Sequence, residues 1–127
     1  MGMEGCTPGY WGRPHHLDSW TDVAPGDLVR DIFGIADELM AYDDANGTAF
    51  YDWTLLDAVN QRGNGNNPGQ MLRHATAALL NAYSTGVDYP YTSAEIIDAV
   101  QDAMENGTYQ TAKNMFADAN ELGCDLN

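Results

Sequence analysis

Residues 70–83 read QMLRHATAALLNAY, and this stretch decides the fold class. Leu72, Ala75, Leu79, Ala82 and Tyr83 return at helical spacing, so a helix over 70–83 presents one continuous apolar face. Its alanines favour the helix and, being small, let neighbouring elements approach closely. This is the expected central helix, and Gly86 ends it.

Toward the C-terminus, Tyr89-Pro90-Tyr91 reads as an extended connector, because the residue before a proline avoids the helical region. Thr92-Ser93-Ala94-Glu95 then spells a capping box, with the Thr92 hydroxyl aimed at the amide of Glu95. Ile96, Ile97, Val100 and Met104 form the apolar stripe of the helix that follows. After Asn106-Gly107, a final helix is expected to bury Ala112, Met115, Phe116, Ala119 and Leu122, and Gly123 stops it just before Cys124.

Toward the N-terminus, the Gly/Asn-rich stretch 62–69 is a loop. Tyr51, Trp53, Leu55, Leu56 and Val59 predict a short helix starting near Trp53. Asp27 is expected to cap another, whose apolar residues Leu28, Ile32, Phe33, Ile35 and Leu39 keep imperfect helical spacing around a break at Gly34. Thr7-Pro8-Gly9, Arg13-Pro14 and Pro25-Gly26 rule out a long regular element before that. Tyr10, Trp11, Leu17 and Trp20 nevertheless make the segment strongly apolar, so it must lie on the core, with Trp11 and Trp20 inside it.

Strand patterns are scarce and no internal repeat is visible. The expected architecture is therefore all-α: four to five short helices (27–127) with a long N-terminal aromatic arm (1–26) packed on them, in a single domain spanning 1–127. At 127 residues the chain is long enough to bury a real core.

Cys6 and Cys124 are the two cysteines, one near each end, and neither sits in a CxxC pair or beside a nucleophile or zinc motif. A disulfide between them is expected to join the termini; the alternative is two separate thiols in a reducing compartment. On the loop-entropy model, closing so long a loop stabilises the fold by about 4 to 5 kcal/mol.

Nineteen Asp and Glu face five Lys and Arg, for a formal net charge of −14. That balance excludes a nucleic-acid partner, which needs clustered cations, and disfavours anionic membranes. The dominance of Asp suits a surface bathed in salt, and a halophilic or marine setting is expected. No apolar run is long enough to span a bilayer, so no membrane insertion is expected, and the opening MGMEGCTPGY lacks the pattern of a signal peptide. A secreted chain of this kind would have lost its export signal or been cut from a longer protein.

Gly5-Cys6-Thr7-Pro8-Gly9-Tyr10-Trp11, followed by His16 and Trp20, resembles the "CTPGYWK" type module of secreted and surface-anchored bacterial and archaeal proteins. The resemblance extends through 55–58, 72–82, Tyr89-Pro90 and the closing 122–127, with Gly12 standing where that module carries Lys. It implies a secreted or cell-surface setting and assigns no activity.

His15, His16 and His74 are the three histidines. Should they converge, they would supply nitrogen ligands for zinc or copper, although neighbouring residues of an extended arm point to opposite sides. The stretch Asp43-Asp44-Ala45-Asn46-Gly47-Thr48 partly resembles a calcium loop, but Tyr42 and Trp53 stand at the first and twelfth ligand positions. Tyr89 and Tyr91, flanking Pro90, are the candidate binding surface. Asn46-Gly47-Thr48 and Asn106-Gly107-Thr108 fit the glycosylation sequon. No nucleophile elbow and no zinc-protease helix is present, so no catalytic residue is assigned.

The leading expectation is a non-catalytic extracellular or cell-surface module for adhesion, display or assembly, whose partners are other surface proteins, extracellular glycans, or copies of itself in an oligomer or filament. The alternative is a small metal-binding protein or metalloenzyme using His16 and His74, with His15 as a further ligand.

Overall fold

The central helix forms where the alanine spacing puts it. In the computed structural model, which describes residues 4–40, 51–61 and 68–124, it runs Pro68–Tyr83. This helix is α5, after α1 (Pro8–Trp11), a 3-10 turn (Pro14–Ser19), α2 (Val29–Ile32), α3 (Asp37–Met40) and α4 (Leu55–Val59), and before α6 (Ser93–Asn106) and α7 (Tyr109–Asn120). The fold is all-α among the described residues, with isolated bridges as its only extended pairings.

α5 is covered on more than one side, as expected of a helix that is apolar over most of its circumference. Leu72, Ala75, Ala78 and Leu79 face the larger core with Phe33, Leu55, Ile96, Val100 and Phe116. Ala77 and Leu80 face a second cluster formed by Cys6, Tyr10, Trp11, Val59 and Val87. Each fully buried leucine contributes about 2 kcal/mol of transfer free energy, so α5 is the element around which the rest condenses.

The N-terminal arm supplies that second cluster. Thr7 caps α1 by accepting from the Tyr10 amide at 3.3 Å, and Pro8 occupies the first helical position, where its missing N–H costs nothing. Trp11 is thereby delivered into the interior at 1% exposure. The Trp20 indole donates to the Trp11 carbonyl at 3.0 Å, which ties the 3-10 turn back onto α1. The aromatic arm lies on the helices as expected, and it has short helical structure of its own.

The Cys6–Cys124 disulfide joins the two ends across a sequence separation of 118, with the Cα atoms 4.6 Å apart. Beside it, Gly5 and Gly123 form an antiparallel bridge in which the Gly5 amide donates to the Gly123 carbonyl at 2.8 Å. Gly123 is at φ 128°, a conformation that favours glycine, so it turns the chain out of the last helix toward Cys124.

Two local expectations change. The Asp27 carboxylate does not cap a helix; it accepts from the Ala24 amide at 2.8 Å and closes a turn, and α2 begins at Val29 without a side-chain cap. α4 begins at Leu55 rather than near Trp53, because Thr54 and Asp57 form a reciprocal capping box there. Trp53 lies before the helix instead, and its carbonyl accepts from the Val29 amide at 2.9 Å, which docks α2 against α4. The break at Gly34 is real: its φ of 63° separates α2 from α3. The capping box of Thr92 and Glu95 is present at the start of α6.

Candidate functional site

Asparagine is a poor helix-interior residue because its amide competes for backbone partners. Asn81 nevertheless sits near the end of α5, fully buried. Its Oδ1 accepts from the Cys6 amide at 2.8 Å and from the Trp11 indole at 3.0 Å. Its Nδ2 donates to the Cys6 carbonyl at 2.8 Å and to Asn120 Oδ1 at 3.0 Å. Asn120, also fully buried, donates from Nδ2 to the His74 carbonyl at 3.0 Å and accepts the Tyr89 hydroxyl at 2.6 Å. Every polar atom of the two amides has a partner, so this buried network rigidifies rather than weakens the core.

The network organises the surface next to it. Tyr89 turns its hydroxyl inward to Asn120, and burial, with Tyr91 beside it, pushes the Tyr89 hydroxyl pKa far above the ordinary tyrosine value. Tyr91 packs edge-on against Tyr89 with ring centroids 6.0 Å apart and lines an open groove. Pro90, Met115, Asp118, Ala119 and Leu122 complete that groove, which encloses about 290 Å³. Leu122, 45% exposed, was expected in the core; α7 ends at Asn120, so Leu122 lies past the helix and on the surface. Of the two tyrosines named from sequence, Tyr91 lines the groove, and Tyr89 is not part of its lining but packs against Tyr91.

The histidines occupy different settings. His16 donates from Nδ1 to the Tyr10 carbonyl at 2.7 Å, since a carbonyl can only accept, and its ring lies 3.9 Å from that of Tyr10. The exposed His15 ring packs edge-on against His16 at 4.1 Å. His74 lies on α5, 9% exposed, with Nδ1 lacking a hydrogen-bond partner. Burial above all, then the charges of Arg73 and Lys113, lower its pKa to about 4. Among the described residues no three His, Cys, Asp or Glu side chains gather as a metal site, so His15, His16 and His74 are not brought together as one ligand set. The calcium-loop stretch 43–48, with its sequon, lies outside the described residues. The second sequon residue, Asn106, is exposed at the end of α6 and donates to the Asp102 carbonyl at 3.0 Å.

Sequence reasoning missed Asn81 and Asn120. The available signal was an amide side chain at a helical position flanked by Ala77, Leu80 and Phe116, where solvent could not supply its hydrogen bonds.

A family model described as the Protodermal factor 1 C-terminal domain matches residues 9–125. That match begins at Gly9, within α1, and runs past Cys124, leaving Cys6 outside it; it corrects the resemblance to the bacterial and archaeal "CTPGYWK" module, because the matching family is a plant one. No curated protein and no solved structure matches the chain.

Proposed function

We propose a non-catalytic extracellular role in adhesion or assembly for this chain, which belongs to the Protodermal factor 1 C-terminal domain family. The observation that carries the reading is the groove of Tyr91, Pro90, Met115, Asp118, Ala119 and Leu122. It joins an exposed leucine and an aromatic ring to a single carboxylate, a composition suited to packing against a partner rather than to moving protons. The Tyr91 ring packs on Tyr89, whose hydroxyl is held by Asn120, so this wall of the groove is ordered beforehand and loses little entropy on contact.

The Cys6–Cys124 disulfide is compatible with an oxidising, extracellular location. A formal charge of −14 keeps such a surface solvated in a salt-bearing medium and selects partners that tolerate or neutralise it.

The test compares the wild-type protein with Leu122→Asp and Tyr91→Ala. Self-association is followed by analytical ultracentrifugation, and retention on immobilised extracellular polysaccharides is followed by surface plasmon resonance. Association or retention that falls in both variants supports the reading. A wild-type protein that stays monomeric and unretained, or variants that match it, would sink it. Stoichiometric zinc or copper lost on His74→Ala would move the assignment to the metal-binding alternative.

A further inference from the structure

The sequon Asn106-Gly107-Thr108 forms the corner between α6 and α7. Asn106 is the last residue of α6, Gly107 caps that helix at φ 71°, and Thr108 stands at the N-cap of α7. The left-handed cap accounts for the glycine, because only glycine adopts it without strain. It does not account for the residues on either side.

Thr108 is the more telling of the two. Thr7, Thr54 and Thr92 hold the same N-cap position before α1, α4 and α6, and each accepts a backbone amide of its helix through the side chain. Thr108 makes no such bond, so its hydroxyl takes no part in starting α7. Asn106 is likewise uncommitted to the interior. Its Nδ2 donates to the Asp102 carbonyl at 3.0 Å and to the Asp102 carboxylate at 2.9 Å, both on the surface of its own helix, where water can replace either partner.

The corner also has room. All three residues are exposed, and a Cβ built on Gly107 would meet nothing within 4 Å. None of the three lines the groove. From Ser93, next to the Tyr91 connector, the 14 residues of α6 extend about 20 Å to Asn106.

We propose that Asn106 is an N-glycosylation site, receiving an oligosaccharide from a polyprenyl phosphate donor during export. This rests on the extracellular reading above. In the transfer, Nδ2 of Asn106 attacks the anomeric carbon of the donor sugar. The C–N bond forms as the anomeric C–O bond to phosphate breaks, the lipid phosphate departs with the bonding pair, and one amide proton passes to a base of the transferring enzyme. The Thr108 hydroxyl is the group that enzyme reads at the third position of the sequon. The product amide keeps one N–H for Asp102, so no buried group loses a partner. The attached sugar adds hydrated bulk at the far end of α6 and leaves the groove open to a partner.

The full chain, expressed behind a secretion leader in plant cells and collected from the medium, is mapped by non-reducing peptide mass spectrometry. Mapping is repeated after an amidase that releases N-glycans and converts the carrying Asn to Asp, which marks the site. A glycan on the peptide holding Asn106 is expected. It should be lost in Asn106→Gln and Thr108→Ala and restored in Thr108→Ser, which keeps the hydroxyl. Because Thr108 caps nothing, Thr108→Ala should keep the thermal midpoint of the glycan-free protein, so the lost glycan is not a lost fold. Asn106 recovered unmodified in secreted protein with the Cys6–Cys124 bridge formed would overturn the site. A glycan confined to Asn46, or one on Asn106 that survives Thr108→Ala, would overturn it as well. Such a failure leaves the extracellular reading standing, because the self-association and retention tests of that reading are run on glycan-free protein.

Discussion

The side chain of Asn81 and the peptide of Cys6 are hydrogen-bonded in both directions, each bond at 2.8 Å. The Cys6 amide and the Trp11 indole can only donate, so they fix Oδ1 toward the arm and leave Nδ2 for the Cys6 carbonyl and Asn120. One amide thus ties the arm, the disulfide and the last helix to α5.

Replacing Asn81 by Leu keeps the volume near its original size and strands the Cys6 peptide and the Trp11 indole in a dry interior. A loss of about 3 kcal/mol or more is expected, since each stranded group costs about 1 to 3 kcal/mol. Asn81→Asp should be at least as damaging, because it sets an anionic oxygen against the Cys6 carbonyl and Asn120 Oδ1. Urea denaturation followed by tryptophan fluorescence measures both.

Cutting the covalent tie acts mainly on the unfolded chain. The Cys6→Ser, Cys124→Ser double variant, or the reduced protein, should lose about 4 to 5 kcal/mol on the loop-entropy model. Trp11 emission should shift to the red as the arm lifts away. Non-reducing peptide mapping of the native protein should recover Cys6 and Cys124 in one linked pair.

Acid should weaken the fold through His74. Burial, then Arg73 and Lys113, keep its ring neutral in the native state down to about pH 4, against 6.5 unfolded. Between those values the unfolded chain binds a proton that the native protein refuses, so stability falls as the pH drops through that window and is unaffected above it. The loss amounts to roughly 3 kcal/mol at its fullest. His74→Gln should flatten this part of the curve, seen as a smaller difference between urea midpoints at pH 4.5 and 7.5.

Gly5 allows the arm to lie against the end of α7. A Cβ there would collide with the carbonyl of Ala119, which is backbone and cannot swing aside. Gly5→Ala should therefore cost about 1 to 3 kcal/mol by overpacking. Differential scanning calorimetry should show the lower melting temperature, while Gly26→Ala, where nothing lies within 4 Å, provides the unperturbed control.

Much of the fold was legible before any coordinates, because short-range rules govern it. The alanine-rich spacing of 70–83 places α5, Thr92 and Glu95 mark the start of α6, and Gly34 marks a break, each through backbone preferences that neighbouring residues set. The pairing of Cys6 with Cys124 was likewise readable, since no other cysteine competes. The start of α4 was misplaced because Trp53 looked helical by its apolar character, while Thr54 and Asp57 captured the first amides. The site was far less legible. Tyr91 could be named from the connector, but Met115 and Asp118 join it from α7, a separate element, and Leu122 joins it past the helix end at Asn120.

What the sequence determined alone is the helical class, the covalent closure and the aromatic arm, all consequences of periodicity and composition. The tertiary structure decided which polar groups meet: Asn81 with Asn120 and Cys6, and Asn120 with Tyr89. The reason is physical, for a hydrogen bond or a charge contact depends on distances of a few ångströms between residues dozens apart in the chain. Those distances are set by how helices pack, not by the order in which their residues occur.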